Sequence, residues 1–218
     1  MIKNIMFDLD GTLTDSAPGI TNCVEYALGK FGIEISDKNG LKKFIGPPLL
    51  YSFKTFFGFT EEDAKRATEY YRERFSTIGL FENELYSGIA DMLKRLCEGG
   101  RKLFIATGKP EEFTVRILEH FGIAKYFSFV CGNTLSGARP EKRDVIEYIM
   151  ANYPEISGED TVMVGDRCYD VEGAKLAGIP CIGVCYGFGT REELNNAGAS
   201  CIVDTVQELE ELLLNEGR

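Results

Sequence analysis

The sequence predicts an α/β protein: a doubly wound, Rossmann-like parallel sheet with an all-helical domain inserted after its first strand. Three observations predict it. Short apolar runs bounded by turn residues recur along the chain and read as strands buried on both faces, as parallel strands are. From about Tyr86 onward amphipathic helical patterns alternate with these runs, and strand–helix–strand repetition builds a parallel sheet. Between the first run and the second lie about 70 residues of helical pattern alone, far more than a crossover takes.

The first strand is Ile5-Met6-Phe7. From Asp15 to about Glu84 no convincing strand appears. Ile20, Cys23, Val24, Ala27, Leu28 and Phe31 make one helical stripe there, and Ala64, Ala67, Tyr70, Tyr71, Phe75 and Ile78 make another. Gly32, the Gly46-Pro47-Pro48 turn and Gly58 punctuate this region. Ile89, Met92, Leu93, Leu96 and Cys97 then recur at helical spacing until Gly99-Gly100 stops them. The remaining strands are Leu103–Ala106, Phe127–Val130, Thr161–Val164, Cys181–Val184 and Cys201–Val203. Helices fit Pro110–Phe121, Lys142–Asn152, Tyr169–Ala177, Arg191–Ala197 and Val206–Leu214. The expected domains are a core of residues 1–14 and 85–218 and a helical cap of residues 15–84. The insertion follows the carboxyl end of strand one, where open α/β sheets bind ligands, so it reads as a lid.

Composition excludes several classes. The 218 residues are 44% hydrophobic and 27% charged, ordinary globular usage that excludes disorder, collagen and coiled coil as the main state. No apolar run approaches the ~20 residues of a membrane helix, and the apolar stretch at the N-terminus is short for a signal peptide. A cytoplasmic protein with no membrane partner is expected. The net charge is −10 and no Lys/Arg run supplies a basic patch, so a nucleic acid polymer is not an expected partner. A small anionic ligand would need local cations or a metal against that field. The seven cysteines, at 23, 97, 131, 168, 181, 185 and 201, show no zinc spacing and read as free thiols. The single histidine, His120, falls in a charged helical stretch, so the chemistry must manage without a histidine base.

Four segments carry chemistry. Asp8 and Asp10, in Phe7-Asp8-Leu9-Asp10-Gly11-Thr12, end the first strand. One carboxylate can attack phosphorus, and two close carboxylates push their proton affinities apart so that one can hold a proton for a leaving group. Thr107-Gly108-Lys109-Pro110 puts a hydroxyl and a free N–H between a strand and a helix, a seat for a phosphate oxygen. Lys142, in Arg139-Pro140-Glu141-Lys142, opens a helix and can neutralise phosphate. Gly165-Asp166-Arg167-Cys168-Tyr169-Asp170 supplies two more carboxylates after a buried strand, oxygen ligands that suit Mg2+.

Taken in order, these motifs closely resemble the haloacid dehalogenase superfamily of phosphohydrolases, over the whole chain, and most of all its phosphoglycolate phosphatase-like branch with a small helical cap. The resemblance implies that Asp8 is the nucleophile and becomes phosphorylated. It implies that Asp10 protonates the leaving oxygen and then activates water. Thr107 and the Gly108 N–H would hold the transferring phosphoryl group, and Lys142 would stabilise it. Asp166 would bind Mg2+ with the Asp8 carboxylate and the Asp10 carbonyl, Asp170 supporting the metal directly or through water. Asp10 is absent from the dehalogenases themselves, so phosphoryl transfer is favoured. Pro18-Gly19-Ile20 stands where the sugar phosphomutases carry a cap-side histidine, with no histidine before His120, against a phosphomutase, and Leu49 stands where phosphonate-cleaving relatives place a Schiff-base lysine.

The segment Lys43-Phe44-Ile45-Gly46-Pro47-Pro48 resembles the specificity loop of that branch, with Gly46 allowing close approach and Phe44 or Lys43 facing the leaving group. Lys109, Arg139 and Arg167 are further candidate cations. The expected activity is a Mg2+-dependent phosphatase for a small phosphorylated metabolite, phosphoglycolate first. A 5′-nucleotidase or pyrophosphatase is the alternative, with Phe44, Tyr51 or Phe53 as stacking faces. A non-catalytic phosphate-binding protein is the remote alternative, since binding alone needs neither nucleophile nor acid. The expected state is a monomer or homodimer.

Overall fold

The computed structural model describes residues 2–215. In chain order, β1 (Asn4–Phe7) and the two-residue β2 (Thr14–Asp15) come first. Helices α1 (Ala17–Gly29), α2 (Leu49–Phe57) and α3 (Glu61–Phe75) follow, then β3 (Glu84–Leu85). The rest alternates: α4 (Ile89–Glu98), β4 (Lys102–Pro110), α5 (Glu111–His120), β5 (Phe127–Asn133), α6 (Lys142–Asn152), β6 (Thr161–Gly165), α7 (Cys168–Leu176), β7 (Cys181–Val184), α8 (Arg191–Ala197), β8 (Cys201–Val203) and α9 (Val206–Asn215). No helix among the described residues is long and apolar enough to cross a membrane.

The chain divides into two compact units. One holds the residues up to Thr14 and those from Leu85 onward; the other is Asp15–Glu84. In the first, six strands form one sheet in the order β5-β4-β1-β6-β7-β8. Every pairing is parallel, as in Phe7 beside Ile105 of β4 and beside Val164 of β6. This is the doubly wound α/β fold the apolar runs predict, and its order reverses around β1. The core lies between sheet and helices. Met6, Phe104, Met163, Ile146, Ile149 and Ala174 are all fully buried. The α4 stripe of Ile89, Met92, Leu93 and Leu96 is likewise buried. Burial on both faces does not hold for β5 and β8, which are partly exposed because they form the two edges of the sheet.

The second unit packs α1 and α3 through Ile20, Val24, Ala27, Ala64, Ala67 and Tyr71. Thr60 caps α3 by accepting the Asp63 N–H at 3.1 Å, and acids at its start and arginines at its end complement the helix dipole. Ile78 departs from the predicted stripe: α3 ends at Phe75, and Ile78 is 54% exposed. The stretch without strands also needs amendment at its limits, because Thr14–Asp15 pairs with Glu84–Leu85 in a two-stranded sheet. Two residues are too few to give a periodic signal.

Candidate active site

Asp8 leaves β1 at its carboxyl end, and its N–H donates to the Val164 carbonyl of β6 at 2.9 Å. Lys142, the first residue of α6, reaches it from the other side. Its Nζ lies 2.7 Å from Asp8 Oδ1, 2.8 Å from the Ala106 carbonyl and 2.8 Å from Asp170 Oδ1. The ammonium therefore donates to Asp8 and to the Ala106 carbonyl and meets Asp170 as an ion pair. Burial alone would lower its proton affinity; Asp170 and Asp8 outweigh that and hold it raised, so it stays charged. Gly173 of α7 makes this reach possible, because a Cβ there would stand 2.7 Å from the Lys142 Cβ.

Asp166 follows β6 and is fully buried. Its Oδ2 accepts the Phe188 N–H at 2.8 Å, while Oδ1 is buried with no hydrogen-bond partner among the described residues. Asp170 sits in the first turn of α7, where its Oδ2 accepts the Arg167 N–H at 3.0 Å. One carboxylate oxygen each of Asp8, Asp166 and Asp170 lies within 4.8 Å of the others. Burial, then Asp170 and Asp8, push the Asp166 carboxyl well above the usual range. Burial raises Asp170 to about 6 against the pull of Lys142. Of three buried carboxylates only Asp8 and Asp170 contact the one ammonium, and Asp166 Oδ1 and Asp170 Oδ1 have no hydrogen-bond partner among the described residues. That all-oxygen, electron-rich set fits a hard divalent cation.

Asp10 lies beyond the end of β1. Its Oδ2 is 2.8 Å from Lys109 Nζ, and its Oδ1 is buried with no hydrogen-bond partner among the described residues. Thr107 is buried, and its Oγ1 accepts the Lys109 N–H at 3.3 Å. Gly108 between them is exposed, with open space where a Cβ would stand. A hydroxyl and an exposed glycine near the end of β4 thus stand beside Lys109, which pairs with Asp10.

Comparison with known proteins decides the family. The model of the haloacid dehalogenase-like hydrolase family matches residues 5–184. The chain belongs to that family. Its membership makes the chain an enzyme, a hydrolase with phosphatase relatives on the phosphoglycolate phosphatase-like branch. A 5′-nucleotidase of Pseudomonas aeruginosa is 44% identical to it, over 88% of this chain and 86% of that one. The tyrosine-protein kinase PtkA of Mycobacterium tuberculosis is 35% identical, over 96% of this chain and 72% of that one. A phosphoglycolate phosphatase of Vibrio parahaemolyticus is 30% identical, over 97% and 96%. A crystal structure described as a predicted phosphatase from Clostridium acetobutylicum superposes with a TM-score of 0.94 at 48% identity, covering 98% of this chain and 99% of that one.

In this family member, Asp8, Asp10, Thr107, Lys109, Lys142, Asp166 and Asp170 all come from the carboxyl ends of strands or the helix starts beside them. Arg139 does not join them as a phosphate contact. Its Nε donates to the Gly132 carbonyl at 2.8 Å, it pairs with Glu111 at 2.9 Å, and its guanidinium lies 4.4 Å from the Tyr148 ring centre. Arg167 pairs with Glu193 at 2.8 Å. Lys43, Phe44 and Gly46 belong to the second unit. Gly46 has φ 104°, a conformation that favours glycine. Phe44 cannot face a leaving group: it is buried inside that unit against Phe53 and Phe56, with ring centres 5.0 and 5.5 Å away. Phe53 is buried too and offers no stacking face, while Tyr51 is exposed. Lys43 is exposed, with Nζ 4.6 Å from the Phe56 ring centre.

The turn after β7 escaped the sequence reasoning. Phe188 donates to Asp166, and the Tyr186 hydroxyl donates to the Thr12 carbonyl at 3.0 Å. A Cβ on Gly187 would overlap the Gly11 carbonyl oxygen, and one on Gly189 would overlap the Asp166 carbonyl oxygen. Two glycines flanking an aromatic at the carboxyl end of a strand were the signal available. His120 is exposed, and no disulfide joins any of the seven cysteines among the described residues.

Proposed function

We propose that the chain is a Mg2+-dependent phosphatase that hydrolyses a small phosphate monoester through an aspartyl-phosphate on Asp8. The observation that carries the reading is the Asp8 carboxylate, held by Lys142 and sharing a buried cluster with Asp166 and Asp170. A Mg2+ ion held by Asp8, Asp166 and the Asp10 carbonyl, with Asp170 beside them, would supply the positive charge that lets a carboxylate meet a phosphate dianion.

The chain's own groups then have defined work. Asp8 attacks phosphorus, forming a new O–P bond as the ester P–O bond breaks with its electron pair on the leaving oxygen. Asp10 gives that oxygen a proton. In the second step Asp10 takes a proton from water, the water oxygen bonds to phosphorus, and the Asp8 O–P bond breaks. Lys142 keeps Asp8 oriented throughout and offers charge to the phosphoryl oxygens. The Thr107 hydroxyl and the Gly108 N–H are assigned to those oxygens as well. Seven cysteines with no disulfide among them fit a reducing compartment, hence a cytoplasmic enzyme.

A nucleoside 5′-monophosphate is supported as the ester by the 44% identical 5′-nucleotidase, and phosphoglycolate by relatives near 30% identity. The test is kcat/KM with Mg2+ for nucleoside monophosphates, phosphoglycolate, pyrophosphate and sugar phosphates, with Asp8→Asn as blank. A preference of about 100-fold for one ester names the substrate class. Phosphate release unchanged in Asp8→Asn refutes the covalent route. Transfer of phosphate from ATP to a protein tyrosine, in place of release to water, would move the reading towards the kinase relative.

A further inference from the structure

Lys109 was expected to touch phosphate, and the structure gives it a different occupation. Its Nζ lies 2.8 Å from Asp10 Oδ2, with the two side chains 6% and 16% exposed. The backbone under Lys109 is fixed on several sides. Its N–H donates to Thr107 Oγ1 at 3.3 Å. Its carbonyl lies so close to Gly132 that a Cβ there would overlap it. Pro110 follows and restricts the residue before it to extended backbone. Since β1 and β4 pair in register at Phe7 and Ile105, the segment carrying Asp10 leaves β1 beside the end of β4 that carries Lys109. The ion pair is therefore built by the sheet.

Asp10 has two carboxyl oxygens, and only one is spoken for. Oδ2 faces the ammonium; Oδ1 is buried with no hydrogen-bond partner among the described residues. An oxygen accepting an N–H from an ammonium is a poor place for an O–H, because the two donors would point at each other. We infer that Lys109 is a positioning residue: by holding Oδ2 it makes Oδ1 the oxygen through which Asp10 passes its proton to the leaving group. This rests on the phosphatase reading above. In the first step the ester P–O bond breaks, its electron pair goes to the leaving oxygen, and that oxygen takes the proton from Asp10 Oδ1. Asp10 is left as a carboxylate beside Lys109. Without Lys109 the carboxyl rotates, and either oxygen can carry the proton in either direction.

Leaving-group chemistry separates this role from phosphate binding. An alkyl phosphate expels a strongly basic alkoxide and needs the acid. A 4-nitrophenyl phosphate expels a stable phenolate and needs it far less. The quantity to measure is the ratio of kcat/KM for ethyl phosphate to that for 4-nitrophenyl phosphate, with Mg2+ and an Asp8→Asn blank. Lys109→Met is expected to lower this ratio about tenfold or more, part of the range that general acid catalysis supplies. Lys109→Arg, which keeps a cation, is expected to hold it within about threefold of wild type. In an Asp10→Asn background, Lys109→Met should leave the ratio where Asp10→Asn already put it. Lys109→Gln reads the same ratio if the methionine variant does not fold. Equal losses on both esters, or a further loss added to that of Asp10→Asn, overturn the inference. If the wild type hydrolyses neither ester above the blank, the phosphatase reading falls and takes this one with it. If it does so with unchanged ratios in the Lys109 variants, only the role of Lys109 falls.

Discussion

Lys142→Met is the most informative perturbation of the carboxylate cluster. Methionine keeps most of the stem and removes the ammonium. The lost contacts are Asp8 at 2.7 Å, Asp170 at 2.8 Å and the Ala106 carbonyl at 2.8 Å. At an effective dielectric of about 20, each ion contact near that distance is worth about 6 kcal/mol gross. Desolvation of the buried ions offsets much of this, and removing one partner of a buried pair costs about 3–5 kcal/mol net. The penalty should sit at the upper end, because the buried Asp8 and Asp170 both lose their ammonium, with the Asp166 carboxylate beside them. For a chain of this length about 2–4 °C of Tm accompanies each kcal/mol, so the variant should melt about 6–20 °C below wild type in chelator. Millimolar Mg2+ should then raise the variant's Tm more than the wild type's, because the cation replaces the lost charge. Thermal melts by circular dichroism, with and without Mg2+, measure both effects. A chelated variant melting within about 2 °C of wild type would refute the electrostatic reasoning.

Three further outcomes are expected. Asp166→Asn removes a carboxylate that burial and its neighbours hold well above the usual range, so its charge opposes folding at neutral pH. In chelator the variant should melt at or above wild type, and it should lose the Mg2+-induced rise, about 2.7 kcal/mol at a 100-fold excess over Kd; a lower chelated Tm would contradict this. Gly187→Ala drives a Cβ into the Gly11 carbonyl and should cost about 1–3 kcal/mol in a urea melt, together with weaker Mg2+ stabilisation. Glu82 accepts both Arg74 amino groups, at 2.6 and 2.9 Å, and its carboxyl is held below the usual range. That stability is present above the ordinary glutamate range and is lost as pH falls through the depressed value. Glu82→Gln should therefore cost about 1 kcal/mol at neutral pH and little in acid, by urea melts at the two pH values.

What the sequence revealed depended on how far apart the interacting residues stand. Apolar runs and helical stripes are local, and the helix expected at Lys142–Asn152 is found with those limits. Asp8, Asp166 and Asp170 were legible because each follows an apolar run that ends at the same side of a parallel sheet. The pairing of Lys109 with Asp10 joins segments about 100 residues apart, and no periodicity records it. Arg139 reads as a candidate anion contact until Glu111 and Gly132 are seen to occupy it. Phe44 looked available because its neighbours Lys43 and Gly46 suggest a surface loop, yet the phenylalanines of α2 enclose it. The turn at Gly187 and Gly189 is invisible for a similar reason: its constraint comes from backbone of Gly11 and Asp166, far off in sequence.

The pairing of β2 with β3 has a consequence for how such a protein can change. Hydrogen-bonded strands lie about 4.8 Å apart, so the chain departs at Thr14 and returns at Leu85 through almost the same point. The Tyr86 N–H, bonded to the Leu13 carbonyl at 3.1 Å, fastens the two passages together. A turn of about four residues would span that gap as well as the whole segment does. The residues from Asp15 to Glu84 are thus an exchangeable cassette, spliced in at a junction that the six-stranded sheet does not register. A lineage can swap, shorten or enlarge what it carries there and keep Asp8, Lys142 and the buried carboxylates in place.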